Sequence, residues 1–476
     1  MNDTVVKTVH GMVRGIDQGG VVSFRGIPYA AAPEGELRFQ APCPPEGWEG
    51  VRDAVGFGPA APQLPPAPGA PPVWRPGDGL DCLRLNVWTP DAGGAGLPVM
   101  VWIQGGAWKA GSARMPHYDG ALLAGSGVVV VTLDYRVGFE GFGHLPGAPD
   151  NRGLLDQLAA LRWVRENIAA FGGDPDAVTV FGQSAGAASV VLLLAAPASE
   201  GLFRRAIAQS VPEGARTADE AGRITASLAA AARVEATLEG FAALPPESIL
   251  AVQDAPLTGP GAGVSAFGPV VDGELVTGQP WTGIGEVAAR RVELVCGYTR
   301  EEFRGLFPGP PPPGVGPADV AASLGLGPDA VAAYREAYPG ADDAGLFMVM
   351  MSDAVVRVPT MRVAEAHARA GGRTWLYEFA WRGPVLGAGH GVDVPFVFGN
   401  VQGGFAARVL GSPPPEDFAG LSARIRESWT SFAAAGDPGW PRFDLDERRA
   451  RVWDTEPSDT ARPLEASRLI WEQAAG

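Results

Sequence analysis

Lysine is almost missing from this chain. Lys7 and Lys109 are its only two, so nearly all of its 37 basic residues are arginine, set against 53 acidic residues and giving a formal net charge of −16. Such a balance opposes binding to nucleic acid or to an anionic membrane surface, and the arginine skew fits a GC-rich genome better than a demand of the fold. Cysteine is scarce too: Cys43, Cys82 and Cys296 fit a reducing compartment. With five histidines in 476 residues, no His/Cys group has metal-ligand spacing, and neither a metal nor an organic cofactor is expected. Long apolar runs are absent. The most apolar stretch, residues 185–198, contains Ser189 and Pro197 and is too short to span a bilayer, so it reads as a buried helix and no membrane partner is expected. No basic segment followed by an apolar core precedes the first strand-like residues, and the chain reads as cytoplasmic. No internal repeat is found.

What is abundant is glycine, 66 residues of it, and two of its placements carry chemistry. Residues 178–181 are apolar and strand-like; they run into Gly182-Gln183-Ser184-Ala185-Gly186, which opens the apolar helical run. A serine held on a sharp strand-to-helix turn needs small residues two places before and two after, because neighbouring backbone passes close there. A bare GxSxG arises by chance in a glycine-rich chain, but the strand before and the helix after make this one a nucleophile elbow.

Upstream, the strand-like residues 98–103 lead into Gln104-Gly105-Gly106-Ala107. Small residues at that point let backbone N–H groups approach a ligand closely. Such donors stabilise the oxyanion that develops in acyl transfer, each contributing about 3 to 4 kcal/mol.

Apolar strands at 99–103, 128–133, 178–181, 292–296 and 375–379 alternate with amphipathic helices without a linker-like break. Unbroken apolar runs of this kind suit buried parallel strands. The reading is one α/β domain over 1–476 with helical insertions at about 212–290 and 305–370. Leu154, Leu158, Leu161, Val164 and Ile168 recur at helical spacing and place one face of a helix against the sheet. The proline-dense stretches 58–79 and 308–317 read as loops, and the Ala-rich stretches 215–232 and 318–337 as helices outside the sheet.

The chain resembles the type B carboxylesterases, the cholinesterase-like α/β-hydrolases. The resemblance rests on ordered matches over almost its whole length: Phe24-Arg25-Gly26-Ile27-Pro28-Tyr29-Ala30, Asp81-Cys82-Leu83-Arg84-Leu85-Asn86, Asp134-Tyr135-Arg136-Val137-Gly138, Asn151-Arg152-Gly153, the elbow, and Gly389-His390-Gly391-Val392-Asp393-Val394-Pro395-Phe396. It implies a large, mostly parallel central sheet flanked by helices, with helical insertions building the pocket. It also implies a serine carboxylesterase acting on carboxylic esters, short-chain or aryl esters being reasonable first trials. The alternatives are an amidase or carbamate hydrolase using the same triad and, more remotely, a noncatalytic interaction protein. The expected partner is a small-molecule ester, with the oligomeric state, monomer or homodimer, left open.

Ser184 needs a base and the base an orienting acid. In the order serine, acid, histidine, only His367 and His390 come late enough; His367 lies in an Arg- and Ala-rich segment that suggests a solvated or capping role. The resemblance matches His390 to the family's catalytic histidine. It sets Glu302 as the acid and Glu301 as the residue before it, with Phe303 departing from the family's glycine. Carried over position by position, the oxyanion donors are the N–H groups of Gly106, Ala107 and Ala185, and Trp108 either walls the pocket or is an ordinary core residue. The remaining departures are Gln183 for a glutamate, Gln104 for a histidine or aromatic residue, and Leu80 for a glutamate, which leaves Arg38 without its family partner. Arg136 and Asp156 read as a structural ion pair. Ala61 stands where extracellular relatives place a partner for Cys82, so Cys82 reads as a small buried hydrophobe, the alternative being a Cys43–Cys82 disulfide.

Overall fold

The computed structural model describes residues 3–65, 71–94, 96–253, 266–306 and 314–475. Strand-like runs collect into one 13-stranded sheet. Its centre is parallel, in the order Val129–Leu133, Leu97–Ile103, Gly173–Gln183, Arg205–Gln209, Glu293–Thr299, Thr374–Phe379 and Ala450–Trp453. Antiparallel strands extend both ends, with Asp3–Lys7, Met12–Asp17, Val22–Pro28 and Arg84–Thr89 on one side and Ser458–Thr460 on the other. Val99–Ile103 and Val129–Leu133 are buried throughout, as runs covered on both faces by helices must be. The order reverses beside Leu97–Ile103, and at such a switch the loops leaving the strands' carboxyl ends diverge and leave a crevice.

Two strands outrun their apolar cores. Gly173–Gln183 begins upstream of the apolar run, while Glu293–Thr299 continues to a Thr299–Phe379 pairing. The second extension carries the chain to Glu302. The helix Arg152–Asn167 buries the leucine face expected of it, and its first residue anchors a loop: the buried Arg152 guanidinium donates to the carbonyls of Phe139, Glu140, Gly143 and Pro149. The helix Ala185–Ala195 is buried along nearly its whole length behind the elbow.

The expected helical regions contain Ala218–Ala232, Leu238–Ala242, Pro246–Gln253 and Glu286–Arg291 in the first, and Pro317–Ser323, Ala330–Ala337 and the continuous stretch 343–369 in the second. That stretch is long and apolar enough to cross a membrane by composition, but most of it is buried in the protein, as in a core helix. Within it Arg357 and Asp353 form a buried ion pair at 2.6 Å. Parts of the loops read at 58–79 and 308–317 lie outside the described residues. All three cysteines are free, Cys82 buried and Cys43 exposed, so the Cys43–Cys82 alternative is not realised.

Candidate active site

Ser184 occupies the turn between Gly173–Gln183 and Ala185–Ala195 with φ 59° and ψ −127°. This is a region that L-residues rarely adopt and that persists only where the surroundings over-determine it. Here they do. A Cβ on Gly182 would lie 2.7 Å from the Ile103 carbonyl oxygen, and one on Gly186 only 2.1 Å from the same atom. Ser184 N–H donates to the Gln209 carbonyl at 2.9 Å, fixing the turn to the neighbouring strand end.

The loop after Leu97–Ile103 turns through Gly106 (φ 122°), Ala107 (φ 54°) and Trp108 (φ 56°), and a Cβ on Gly106 would meet the Ala110 carbonyl oxygen at 2.1 Å. Among the described residues, the backbone N–H groups of Gly106, Ala107 and Ala185 donate to no protein acceptor. Three unspent donors beside a strained serine are what a developing oxyanion requires. Ala107, Trp108, Ser184, Ala185 and His390 line one cavity of about 540 Å³. Trp108 is buried and donates its indole N–H to Ser189 Oγ at 3.2 Å, so it both walls the cavity and braces the helix behind the serine. Phe267, Leu324, Met351, Val355 and Trp471 supply much of the apolar wall.

The two adjacent glutamates part company. Glu302 is fully buried; its Oε2 bonds His390 Nδ1, while its Oε1 accepts from Ser210 Oγ and from Thr299 N–H, both at 2.7 Å. Glu301 turns the other way. It accepts from Ala388 N–H at 2.9 Å and pairs with Arg304 and Arg382 at 3.3 Å, clamping the loop that carries His390. The close approach to His390 is made by Gly305, where a Cβ would lie 2.4 Å from His390 N, while Phe303 packs edge-on against Phe347. His390 Nε2 lies 2.9 Å from Gln183 Nε2. Among the described residues, Ser184 Oγ makes no hydrogen bond.

A second carboxyl stands behind this pair. Asp393 Oδ2 accepts from Gln209 Nε2 at 2.8 Å and from Tyr377 at 3.1 Å, while its Oδ1 and Gln209 Oε1 are buried without partners among the described residues. Burial, with the Glu302 charge adding to it, pushes the Asp393 carboxyl up to about 6. Neither Ser210 nor Asp393 was assigned a role from the sequence. The signals were a serine just beyond a strand end and an acid three residues after the histidine.

The matching family model is the carboxylesterase family, over residues 2–309 and 341–465. The chain belongs to the carboxylesterase family. It is 37% identical to the para-nitrobenzyl esterase of Bacillus subtilis (strain 168), covering 96% of each chain. It is 35% identical to the phenmedipham hydrolase of Pseudarthrobacter oxydans, covering 97% of each. A solved para-nitrobenzyl esterase superimposes with a TM-score of 0.88 at 35% identity over 98% of this chain and 99% of that one. The Geobacillus stearothermophilus carboxylesterase does so with 0.87 at 36% identity over 98% and 100%. Family membership and these relatives make the chain a carboxylic ester hydrolase of α/β-hydrolase fold.

Leu80 leaves Arg38 without the family's glutamate, as read, though not without a partner, and the reading of His367 as solvated or capping is corrected. Arg38 does have a carboxylate: Glu140 pairs with it at 2.5 Å, both side chains nearly buried, and the guanidinium also donates to the carbonyls of Ala242 and Leu244. Glu140 lies on the short helix Gly138–Phe142. His367 is neither solvated nor a cap. It is fully buried, its Nδ1 against Thr374 Oγ1 at 2.8 Å and its Nε2 against the Val292 carbonyl at 2.9 Å, and burial lowers it to about 4. Arg136 and Asp156 form the expected buried pair at 2.7 Å. His144 meets Asp150, and His117 is buried against Tyr118 and Phe405, which lowers it to about 4.

Proposed function

We propose that Ser184, His390 and Glu302 carry out a two-step acyl transfer on short-chain alkyl or aryl esters. His390 Nε2 takes the Ser184 Oγ proton as Oγ bonds to the ester carbonyl carbon, whose oxygen becomes an oxyanion held by the N–H groups of Gly106, Ala107 and Ala185. The C–O bond to the alcohol then breaks, and the alcohol leaves with the proton from His390. Water, deprotonated by the same nitrogen, attacks the acyl-serine; the carboxylic acid leaves and Ser184 regains its proton. Glu302 stays ionised throughout, orienting the ring and stabilising the imidazolium.

The observation that supports this reading best is the Glu302–His390 contact opening on the cavity where Ser184 sits on its strained turn. The apolar walls suit alkyl and aryl groups, and the para-nitrobenzyl esterase relative points to the same class. The test is hydrolysis of p-nitrophenyl acetate and butyrate by wild type and Ser184→Ala, with the matching anilides alongside. Ester turnover that falls on the order of 10⁶-fold in the variant supports the assignment; equal turnover by both proteins overturns it.

A further inference from the structure

The nitrogen that has to receive the serine proton is already engaged. His390 Nε2 faces the side-chain amide nitrogen of Gln183 at 2.9 Å, while Nδ1 faces the Glu302 carboxylate. A carboxylate accepts only, so Nδ1 carries a hydrogen. An amide nitrogen donates only, so Nε2 carries a lone pair. The two contacts together select one protonation state of the ring, neutral with its hydrogen on Nδ1. The amide lies closely between two loops. Gln183 is nearly buried, a Cβ on Gly105 would lie 3.1 Å from Gln183 Oε1, and a Cβ on Gly391 would lie 3.7 Å from Gln183 Nε2. The side chain therefore spans from the loop of unspent N–H donors to the loop of the histidine.

We propose that Gln183 is a positioning residue that holds His390 ready as a base, by donating an amide N–H to the Nε2 lone pair until the ring turns to Ser184 Oγ. This deepens the acyl-transfer reading above and rests on it. A hydrogen bond donated to the neutral ring opposes formation of the imidazolium, whereas a carboxylate in the same place would accept from imidazolium N–H and favour it. A glutamine at this position thus keeps the base unprotonated at lower pH than a glutamate would. Other groups face the ring as well. Glu302 and Asp393 lie on the Nδ1 side with Tyr377; Glu301 and Arg304 border its loop; Glu213 and Arg216 line the shared cavity. All of these are common to the variants below, so a difference between variants isolates Gln183.

The experiment compares kcat/KM against pH for p-nitrophenyl butyrate in wild type, Gln183→Glu and Gln183→Met. Both substitutions are close to the original in size, and each is checked for a wild-type melting profile. The acidic limb is expected to move up by about one pH unit or more in Gln183→Glu, as an opposite charge this close produces, and by less in Gln183→Met. The same comparison is made without turnover by following the Nε2 resonance of His390 in ¹⁵N-histidine-labelled resting enzyme, the signal being identified by its loss in His390→Gln. Nε2 should stay unprotonated to lower pH in wild type than in either variant. If the three NMR titrations superimpose, the role of Gln183 is overturned. If they separate while no variant hydrolyses esters, the esterase reading fails and the amide contact stands.

Discussion

Ser210 Oγ donates to Glu302 Oε1 at 2.7 Å, so the carboxylate that orients His390 is itself oriented from the end of the neighbouring strand. With Thr299 N–H on the same oxygen and His390 on the other, the carboxylate is fixed by three partners and is itself without exposure to water. A hydrogen bond to a charged group contributes about 1.5 to 3 kcal/mol. Ser210→Ala should lower kcat about tenfold with KM little changed, measured on p-nitrophenyl butyrate; an unchanged kcat would leave Thr299 as the sufficient support.

The adjacent glutamates should separate sharply. Glu302→Gln cannot hold the histidine in its Nδ1–H form as an acceptor of full charge, and about a 10⁴-fold loss in kcat is expected, as for loss of the orienting acid in comparable triads. Glu301→Gln keeps an oxygen for Ala388 N–H and weakens only its contacts with the half-exposed Arg304 and the exposed Arg382, so a loss of less than about tenfold is expected. Steady-state kinetics on both variants decides it, and similar losses would contradict the division of roles.

Asp393 is a stability prediction with a direction. Its carboxyl is raised in the folded protein to about 6, from 3.8. The folded state therefore binds this proton more tightly than the unfolded state does. The contribution is fully present below about pH 4 and is lost as pH rises through 6. At pH 8 the ionised, buried group costs about 3 kcal/mol by this reckoning. Asp393→Asn removes that cost, and its amide can face the unpartnered Gln209 Oε1. Urea unfolding should show a gain for the variant at pH 8 that shrinks as pH falls from 7 to 5; a gain independent of pH would refute the origin assigned to it.

Arg38 and Glu140 should behave as a unit. Both are nearly buried, and removing one leaves the other charged and desolvated, at about 3 to 5 kcal/mol. Glu140→Leu alone should lose that much in urea unfolding, and Arg38→Met combined with Glu140→Leu should recover most of it. A double variant as unstable as the sum of the singles would show that the arginine's bonds to Ala242 and Leu244 matter more than its charge partner.

What the sequence made legible follows from how each feature is enforced. The elbow could be read because backbone crowding leaves only glycine at 182 and 186, a requirement written in two letters. The parallel strands could be read because burial on both faces demands unbroken apolar runs. Glu302 was distinguished from Glu301 only through the family register, since strand and turn alone put both near the site. Ser210–Glu302 spans 92 residues and Arg38–Glu140 spans 102. Neither has a local pattern, and Glu140 does not stand where the resemblance led one to look. His367 misled because its arginine neighbours suggested an exposed face, while its own ring lies on the opposite side, packed beneath the strands that begin at Glu293 and Thr374.

The parts that meet at the candidate site are gathered from far along the chain. Gln183 and His390 are separated by 207 residues, and Glu302 and His390 by 88. Each such contact must wait for the strands between its partners to pair, which is slow for a fold rich in distant contacts. During synthesis Ser184 leaves the ribosome long before His390 is made. On the proposed mechanism a nascent chain therefore carries a serine without its base, and hydrolytic competence arrives late. In a refolding experiment, recovered turnover would report completion of the sheet more faithfully than recovered helix signal.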